Sequence, residues 1–395
     1  MKRMILAAIA ASSMVAATAT AATAATKTKT VVPTPGKACK ASDVGAPIVG
    51  LNRALLGCVK SGASYKWQIS ASSVTSAPAT TAVVTTAPAA TTAAAGSAAT
   101  TAPTTPATVA AKSEKWPDKL VLAIVPGENA TITLGNWSPF AKGLEKELGV
   151  KIELVTPSDY AGVVEAQLSG KADLGLYGPF SYYVAKQAGA KIEPIAVTVS
   201  QIGNPATYQS FLITKADSPI NTIADLKGKK VCFVDTLSTS GFLYPISGLK
   251  DAGIDYQKDI TAVFAGTHDK SVAAVKSGTC DAGFAFDDMV TKTAVTAGII
   301  KATDIKIIWK SKGIPQGPIA VRTGLPDSLL VKIRQVLPNI DALYLQANKL
   351  CPDATPTCNL GGTSNSWAPV NDSFFDPIAD VCKATQAAAC FPPKR

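Results

Sequence analysis

The stretch Asp235-Thr236-Leu237-Ser238-Thr239-Ser240-Gly241-Phe242 decides how this chain is read. Before it, Lys229-Lys230-Val231-Cys232-Phe233-Val234 is a short apolar run of the kind that forms a buried strand. After it, Leu243 to Gly253 has the pattern of a helix closed by glycine. Three hydroxyls and a glycine therefore stand where a strand hands over to a helix. The first backbone N–H groups of a helix have no partner inside it and point outward at the positive end of its dipole. Hydroxyls beside them add neutral donors, and Gly241 lets the backbone come close to a ligand, so the junction suits a small oxyanion. An ordinary Ser/Thr helix cap has the same local signature. The functional reading therefore requires other residues that converge on this spot.

Working outward, strand and helix signals alternate on both sides. On the N-terminal side the strands are Lys119–Val125, Val150–Val155, Ala172–Leu176 and Pro194–Val199. Between them lie helices that open at Asn136-Trp137-Ser138-Pro139-Phe140, at Ser158-Asp159-Tyr160-Ala161-Gly162 and at Tyr177-Gly178-Pro179-Phe180. They close at Gly149, Gly170 and Gly189. Strands at Gln209–Thr214, Ala262–Ala265, Ala282–Phe286 and Ile305–Lys310 form a second set with the organising strand, and Gly266-Thr267-His268-Asp269 starts one of its helices. The alternation implies parallel sheets covered by helices. Two such sheets joined by long crossings make two lobes, with ligands expected at the carboxyl ends of the strands. Tyr160, Tyr177, Ser238, Thr239, Ser240, His268, and Asp287 or Asp288 all fall at such ends.

Composition narrows the function classes. The chain has 395 residues, 47% of them hydrophobic, enough for a sizeable core. Its formal charge is +10, yet Lys and Arg are scattered, with no basic run longer than a pair such as Lys229-Lys230, and aromatics are only 6%. No element concentrates them as a nucleic-acid binder would, so no nucleic-acid partner is expected. Residues 1–25 read as a secretory leader: Met1-Lys2-Arg3, an apolar stretch to Ala17, then the small-residue sites Ala17-Thr18-Ala19 and Ala22-Thr23-Ala24. The chain is thus expected outside the cytoplasm, in the periplasm, cell envelope or at the cell surface. Eight cysteines in an exported chain favour disulfides.

Residues 37–68 form a small unit bracketed by Cys39 and Cys58, which are expected to pair because so short a segment buries little surface. It is similar to a short cysteine-bracketed module found at the front of exported proteins. Residues 70–111 contain no charged residue and consist mainly of Ala, Thr, Pro, Ser and Val. They read as a linker whose ends lie roughly 30–40 Å apart as a loose coil. The body spans 116–350, and 351–395 is a cysteine-rich tail. Its Cys351, Cys358, Cys382 and Cys390 allow three pairings, among which sequence does not choose. Cys232 and Cys280 either form a bridge or remain buried thiols.

The ordered set Asn136-Trp137-Ser138-Pro139-Phe140, Asp159-Tyr160-Ala161-Gly162, Tyr177-Gly178-Pro179, Asp217-Ser218-Pro219-Ile220, Ser238-Thr239-Ser240-Gly241-Phe242, His268 and Ile308-Trp309-Lys310-Ser311 resembles the substrate-binding proteins of phosphonate, phosphite and phosphate ABC importers. The resemblance covers about Trp116 to Leu345. It implies an α/β, two-lobed periplasmic-binding-protein-like (type II) fold with a hinge and an interlobe cleft. Lobe 1 would be 116–205 with 315–350, and lobe 2 would be 206–314. It also implies a monomer that delivers its ligand to a membrane permease, with no cofactor, no metal and no catalysis. By the same resemblance, Tyr160, Tyr177 and His268 would donate to the ligand, as would the hydroxyls and N–H groups of Ser238, Thr239 and Ser240. Asp287 or Asp288 would accept the proton of a P–OH and turn away sulfate, which has no such proton. Members that hold an aminoalkyl phosphonate carry an Asp where Gln316-Gly317-Pro318 stands here. A ligand without an amine is therefore expected: phosphite, phosphate or a small alkyl phosphonate. Trp137, Phe180 and Phe242 are candidates for its P–H or P–CH3 face, with core packing the competing role.

Three other readings compete. The same fold would bind another small anion or organic precursor, such as a sulfonate. A secreted phosphoester hydrolase would use Ser, His and Asp, but no G-x-S-x-G elbow surrounds Ser238 or Ser240, Asp269 is poorly placed beside His268, and one histidine excludes a multi-histidine metal site. A cell-wall-binding surface protein would work through the front module.

Overall fold

The computed structural model describes residues 114–352 and 358–394, together with the backbone strands Ile48–Val49, Leu55–Ser61 and Ser64–Ile69. Those three strands form an antiparallel sheet of their own. The leader, the linker and the Cys39–Cys58 pairing lie outside the described residues.

The first lobe is built on six strands in the spatial order Ser366–Pro369, Ile192–Val199, Pro318–Arg322, Leu174–Leu176, Lys119–Ile124, Lys151–Val155. The second holds five, in the order Thr261–Phe264, Lys230–Phe233, Ala282–Phe286, Ser210–Lys215, Ile305–Lys310. The chain passes between them twice. The two passages pair as short antiparallel strands, Tyr208 opposite Ile314 and Thr207 opposite Pro315.

The expectation of parallel sheets needs correction, because both are mixed. Pro318–Arg322 runs antiparallel to Leu174–Leu176 and to Ile192–Val199, and Ser210–Lys215 is antiparallel to both its neighbours. The cause is topological. A strand that enters a lobe by crossing from the other one starts at the cleft and runs away from it. Strands fed by a helix of the same lobe start at the far side and end at the cleft.

Apolar packing follows the sheets. On one face of the first sheet, Leu120, Leu122, Phe140, Leu144, Leu329, Ile333 and Trp367 share a fully buried cluster. Another cluster runs through both lobes and joins Val163 and Phe180 to Phe233, Phe242 and Phe284. Phe180 and Phe242 are thus core residues. The second lobe is also bridged internally, by the Cys232–Cys280 disulfide.

Two helix boundaries differ from the sequence expectation. The first helix spans Ala130–Leu148, starting before Asn136, and Asn129 caps it by accepting from the Thr131 N–H at 2.9 Å. Its opening turns carry Thr131, Ile132, Thr133 and Gly135, poor helix formers that hide it. Pro139 sits inside it. After Ser238, one wide π turn over Thr239–Leu243 precedes the α-helix Tyr244–Asp251. Widened turns of this type collect at functional sites.

Nor is the tail a separate appendix. Ser366–Pro369 completes the edge of the first-lobe sheet beside Ile192–Val199. The helix Asp376–Thr385 packs on both Pro179–Gln187 of the first lobe and Tyr244–Asp251 of the second. Lys250 donates to the Ala384 carbonyl at 2.6 Å, and the Tyr182 hydroxyl donates to Asp372. The tail cysteines pair locally, Cys351 with Cys358 and Cys382 with Cys390.

Candidate ligand-binding cleft

The hydroxyl turn is shaped by its own bonds. Asp235 Oδ1 accepts from the Leu237 N–H at 2.7 Å, and Ser238 Oγ accepts from the Gly241 N–H at 3.0 Å. Gly241 is required by space: a Cβ there would lie 2.4 Å from the Val234 side chain. Ser238, Thr239 and Ser240 are all buried. Thr239 also reaches across the lobes, where its Oγ1 accepts from the Phe180 N–H at 2.9 Å at the start of the Pro179–Gln187 helix. Ser210 Oγ fixes the turn from behind by donating to the Ser240 carbonyl at 2.6 Å.

His268 stands at the first position of the His268–Ser277 helix. Its Nδ1 accepts from the Phe286 N–H at 3.3 Å, so the ring proton is assigned to Nε2, which lies 3.4 Å from Ser238 Oγ. Burial pushes its pKa down to about 3. The imidazole is therefore a neutral donor at physiological pH. The backbone N–H of His268 donates to the Gly127 carbonyl at 3.0 Å, another bond between the lobes.

Facing the turn are Tyr160 and Tyr177. Burial raises both phenols above their usual range; for Tyr160 the Ser238 hydroxyl partly offsets this. Among the described residues the buried Tyr177 hydroxyl has no hydrogen-bond partner. An unpaired buried donor is costly unless something else fills its need. Gly317 lies behind it, where a Cβ would come 2.0 Å from the Tyr177 carbonyl oxygen. The absence of a side chain at 317 is therefore a steric condition of this wall.

These residues line one chamber of about 210 Å³, together with Trp137, Tyr208, Asp287, Asp288 and the loop containing Leu360, Gly361, Thr363 and Ser364. An adjoining chamber of about 190 Å³ shares Trp137, Tyr177 and Gly317 and adds Glu128 and Asn136. All nine sequence-expected ligand residues thus share the first chamber, with Trp137 also packed against Phe140 and Trp367. Phe180 and Phe242 line neither.

The charge pattern is distinctive. Among the described residues no lysine or arginine lines either chamber; the charged groups there are carboxylates. Asp287 accepts from the Gln209 N–H at 3.1 Å and the Asp288 N–H at 2.9 Å, and burial raises its pKa despite these bonds. Asp288 is paired with Lys292 at 2.8 Å. Glu128 is pushed up to about 7 by burial and by nearby Asp269, and its Oε2 has no hydrogen-bond partner among the described residues.

Against known proteins, residues 122–350 match the family described as "ABC transporter, phosphonate, periplasmic substrate-binding protein". The chain belongs to this family. Among its relatives, it is 37% identical over 289 residues to the phosphate-import protein PhnD of Mycolicibacterium smegmatis, covering 70% of this chain and 89% of that one. It is 31% identical over 231 residues to the phosphonates-binding periplasmic protein of Escherichia coli, covering 56% and 66%. Among solved structures, PhnD1 of Prochlorococcus marinus in complex with methylphosphonate superposes with a TM-score of 0.60 at 19% identity, covering 68% of this chain and 99% of that one. A binding protein component of an ABC phosphonate transporter from Pseudomonas aeruginosa gives 0.59 at 23%, covering 68% and 86%. Both have the same two-lobed α/β periplasmic-binding-protein fold.

Within this phosphonate-type binding protein, sequence reasoning missed Tyr208, Glu128 and the 360–364 loop. Tyr208 is on the first crossing strand, and burial raises its phenol while the hydroxyls of Ser240 and Thr239 partly offset that. The Gly361-Gly362 pair was the available signal for the loop, since both adopt left-handed φ, 60° and 91°.

Proposed function

We propose that this protein is the extracytoplasmic solute-binding component of an ABC importer, and that it captures a small phosphorus oxyanion between its lobes. The carrying observation is the charge pattern: neutral donors converge on a chamber where, among the described residues, the charged lining groups are carboxylates. Tyr160, Tyr177, Ser238, Thr239, Ser240 and the Nε2–H of His268 supply donors without a counter-cation. A carboxylate beside an anion repels it unless the ligand brings a proton to share. Phosphate and phosphite carry such a P–OH near neutral pH, and sulfate does not. Asp287 is the acceptor we assign, because Lys292 already pairs with Asp288.

Gly317 offers no group for an ammonium, which favours phosphite, phosphate or a small alkyl phosphonate. Trp137 supplies an apolar surface for a P–H or P–CH3 face. Residues 1–25, read as a leader, support a place outside the cytoplasm, where 37–68 and the 70–111 linker would hold the binding body at a distance from an envelope surface. A permease in the membrane would receive the ligand, and the protein would act as a monomer without turnover.

A thermal-shift screen tests this reading, because a ligand that binds only the folded protein raises its melting point. Phosphate, phosphite or methylphosphonate should raise it in the full chain, while sulfate should not. Equal or greater stabilisation by sulfate or a sulfonate would overturn it. Hydrolysis of phosphate esters would make the protein an enzyme.

A further inference from the structure

The region matched by the family ends at residue 350, yet the chamber has a wall beyond it. The loop that begins at Cys358 brings Leu360, Gly361, Thr363 and Ser364 to the same space as Ser238, Thr239, Ser240 and His268. It is a built element. Cys351–Cys358 ties its start to the end of the matched region. Leu360 and Ser364 exchange N–H···O bonds of 2.7 and 3.2 Å, and the Asn365 N–H donates to the Val199 carbonyl at 3.0 Å. From there the chain runs into the Ser366–Pro369 edge strand.

The loop's seat is equally specific. A Cβ on Gly361 would lie 2.6 Å from the Trp137 indole, and one on Gly362 would lie 3.2 Å from the Asn136 side chain. The loop thus rests on a residue that is itself part of the cleft. Among the described residues, the hydroxyls of Thr363 and Ser364 make no hydrogen bond to the protein. Ser364 is nonetheless 8% exposed. Two uncommitted hydroxyls beside an unpaired Tyr177 phenol add to the neutral donors already facing the chamber.

We infer that the 358–364 loop is a third wall of the ligand site and that Thr363 and Ser364 donate hydrogen bonds to the bound tetrahedral oxyanion. This rests on the ligand class proposed above. It makes the C-terminal segment part of recognition, so that a body cut at residue 350 lacks donors as well as an edge strand.

The test is calorimetric titration of the full chain with inorganic phosphate, methylphosphonate and sulfate, comparing wild type with Thr363→Val, Ser364→Ala and the double variant. Each single variant should weaken the ligand that wild type binds by about tenfold, and the pair by more, as for hydrogen bonds to a charged group. The melting temperature without ligand should stay within a few degrees, which separates lost contacts from lost folding. Wild-type binding with the double variant within twofold of it overturns the inference. If wild type binds sulfate in preference, the proposed ligand class fails, and the same variants titrated with sulfate decide the wall independently.

Discussion

The two sides of the cleft are held in place by different means. On the second lobe, a single turn shapes itself: Ser238 N–H donates to the Asp235 carbonyl, Gly241 N–H to Ser238 Oγ, and Val234 N–H to the Gly241 carbonyl, all between 2.9 and 3.1 Å. On the first lobe, Tyr160, Tyr177, Gln316-Gly317 and the 360–364 loop arrive from four distant segments. Their positions depend on backbone approach, burial and a disulfide. Loss of a turn hydroxyl therefore removes a donor at a small cost to the fold, whereas a change in the opposite wall displaces several segments together. Thr239 stands between the two cases, because it belongs to the turn and accepts from the first-lobe Phe180 N–H.

The largest effect expected from this contrast is at Gly317. Gly317→Ala puts a methyl where the Tyr177 carbonyl stands, so strands of the first lobe must shift. Destabilisation of about 3 kcal/mol in denaturant unfolding is expected, with binding lost in parallel. An unchanged midpoint would break the contrast. On the second lobe, Ser238→Ala or His268→Ala should each weaken binding by roughly 1–3 kcal/mol. Ser238→Ala also leaves the Gly241 N–H without its acceptor and should lose about 1 kcal/mol of stability, well short of Gly317→Ala; unchanged calorimetric affinity in both variants would remove the site assignment. Thr239→Val should show both behaviours, losing ligand affinity and about 1 kcal/mol of stability with the helix cap.

The smallest effect is on pH dependence. The folded protein keeps the Glu128 proton up to about pH 7, while an unfolded chain sheds it near 4.5. Stability from this group is thus present below 4.5 and lost as pH rises through 7. His268 acts with opposite sign: its folded pKa near 3 lies below the ordinary 6.5, so its contribution is present above 6.5 and lost as pH falls. Between 4.5 and 6.5 the two slopes oppose each other. Glu128→Gln should therefore gain in melting temperature over wild type on going from pH 5 to pH 8, by a few degrees. A constant difference would show that Glu128 titrates normally.

What could be read from the sequence follows the same division. The hydroxyl turn was legible because an apolar run, three hydroxyls, a glycine and a helix pattern are contiguous, and the structure keeps that order. Tyr160, Tyr177, His268 and the acids were legible as strand ends and family positions. The 360–364 loop and Tyr208 were not, because their place depends on which strand pairs at the sheet edge and where the chain crosses between lobes. The antiparallel strands were missed for that reason too: periodicity marks a strand but carries no direction. The early start of the first helix was masked by β-branched residues and Gly135, whose low helix propensity is overridden by burial of Phe140 and Leu144.

The central claim is that neutral donors grip a protonated tetrahedral anion while a carboxylate reads its proton. Its most direct measurement is the ratio of phosphate to sulfate affinity, taken by calorimetry at neutral pH for wild type and Asp287→Asn. The account predicts that wild type prefers phosphate by about a hundredfold or more, and that Asp287→Asn shrinks the ratio by weakening phosphate and admitting sulfate. A wild type that binds sulfate as tightly as phosphate, or a ratio unmoved by the substitution, would contradict it.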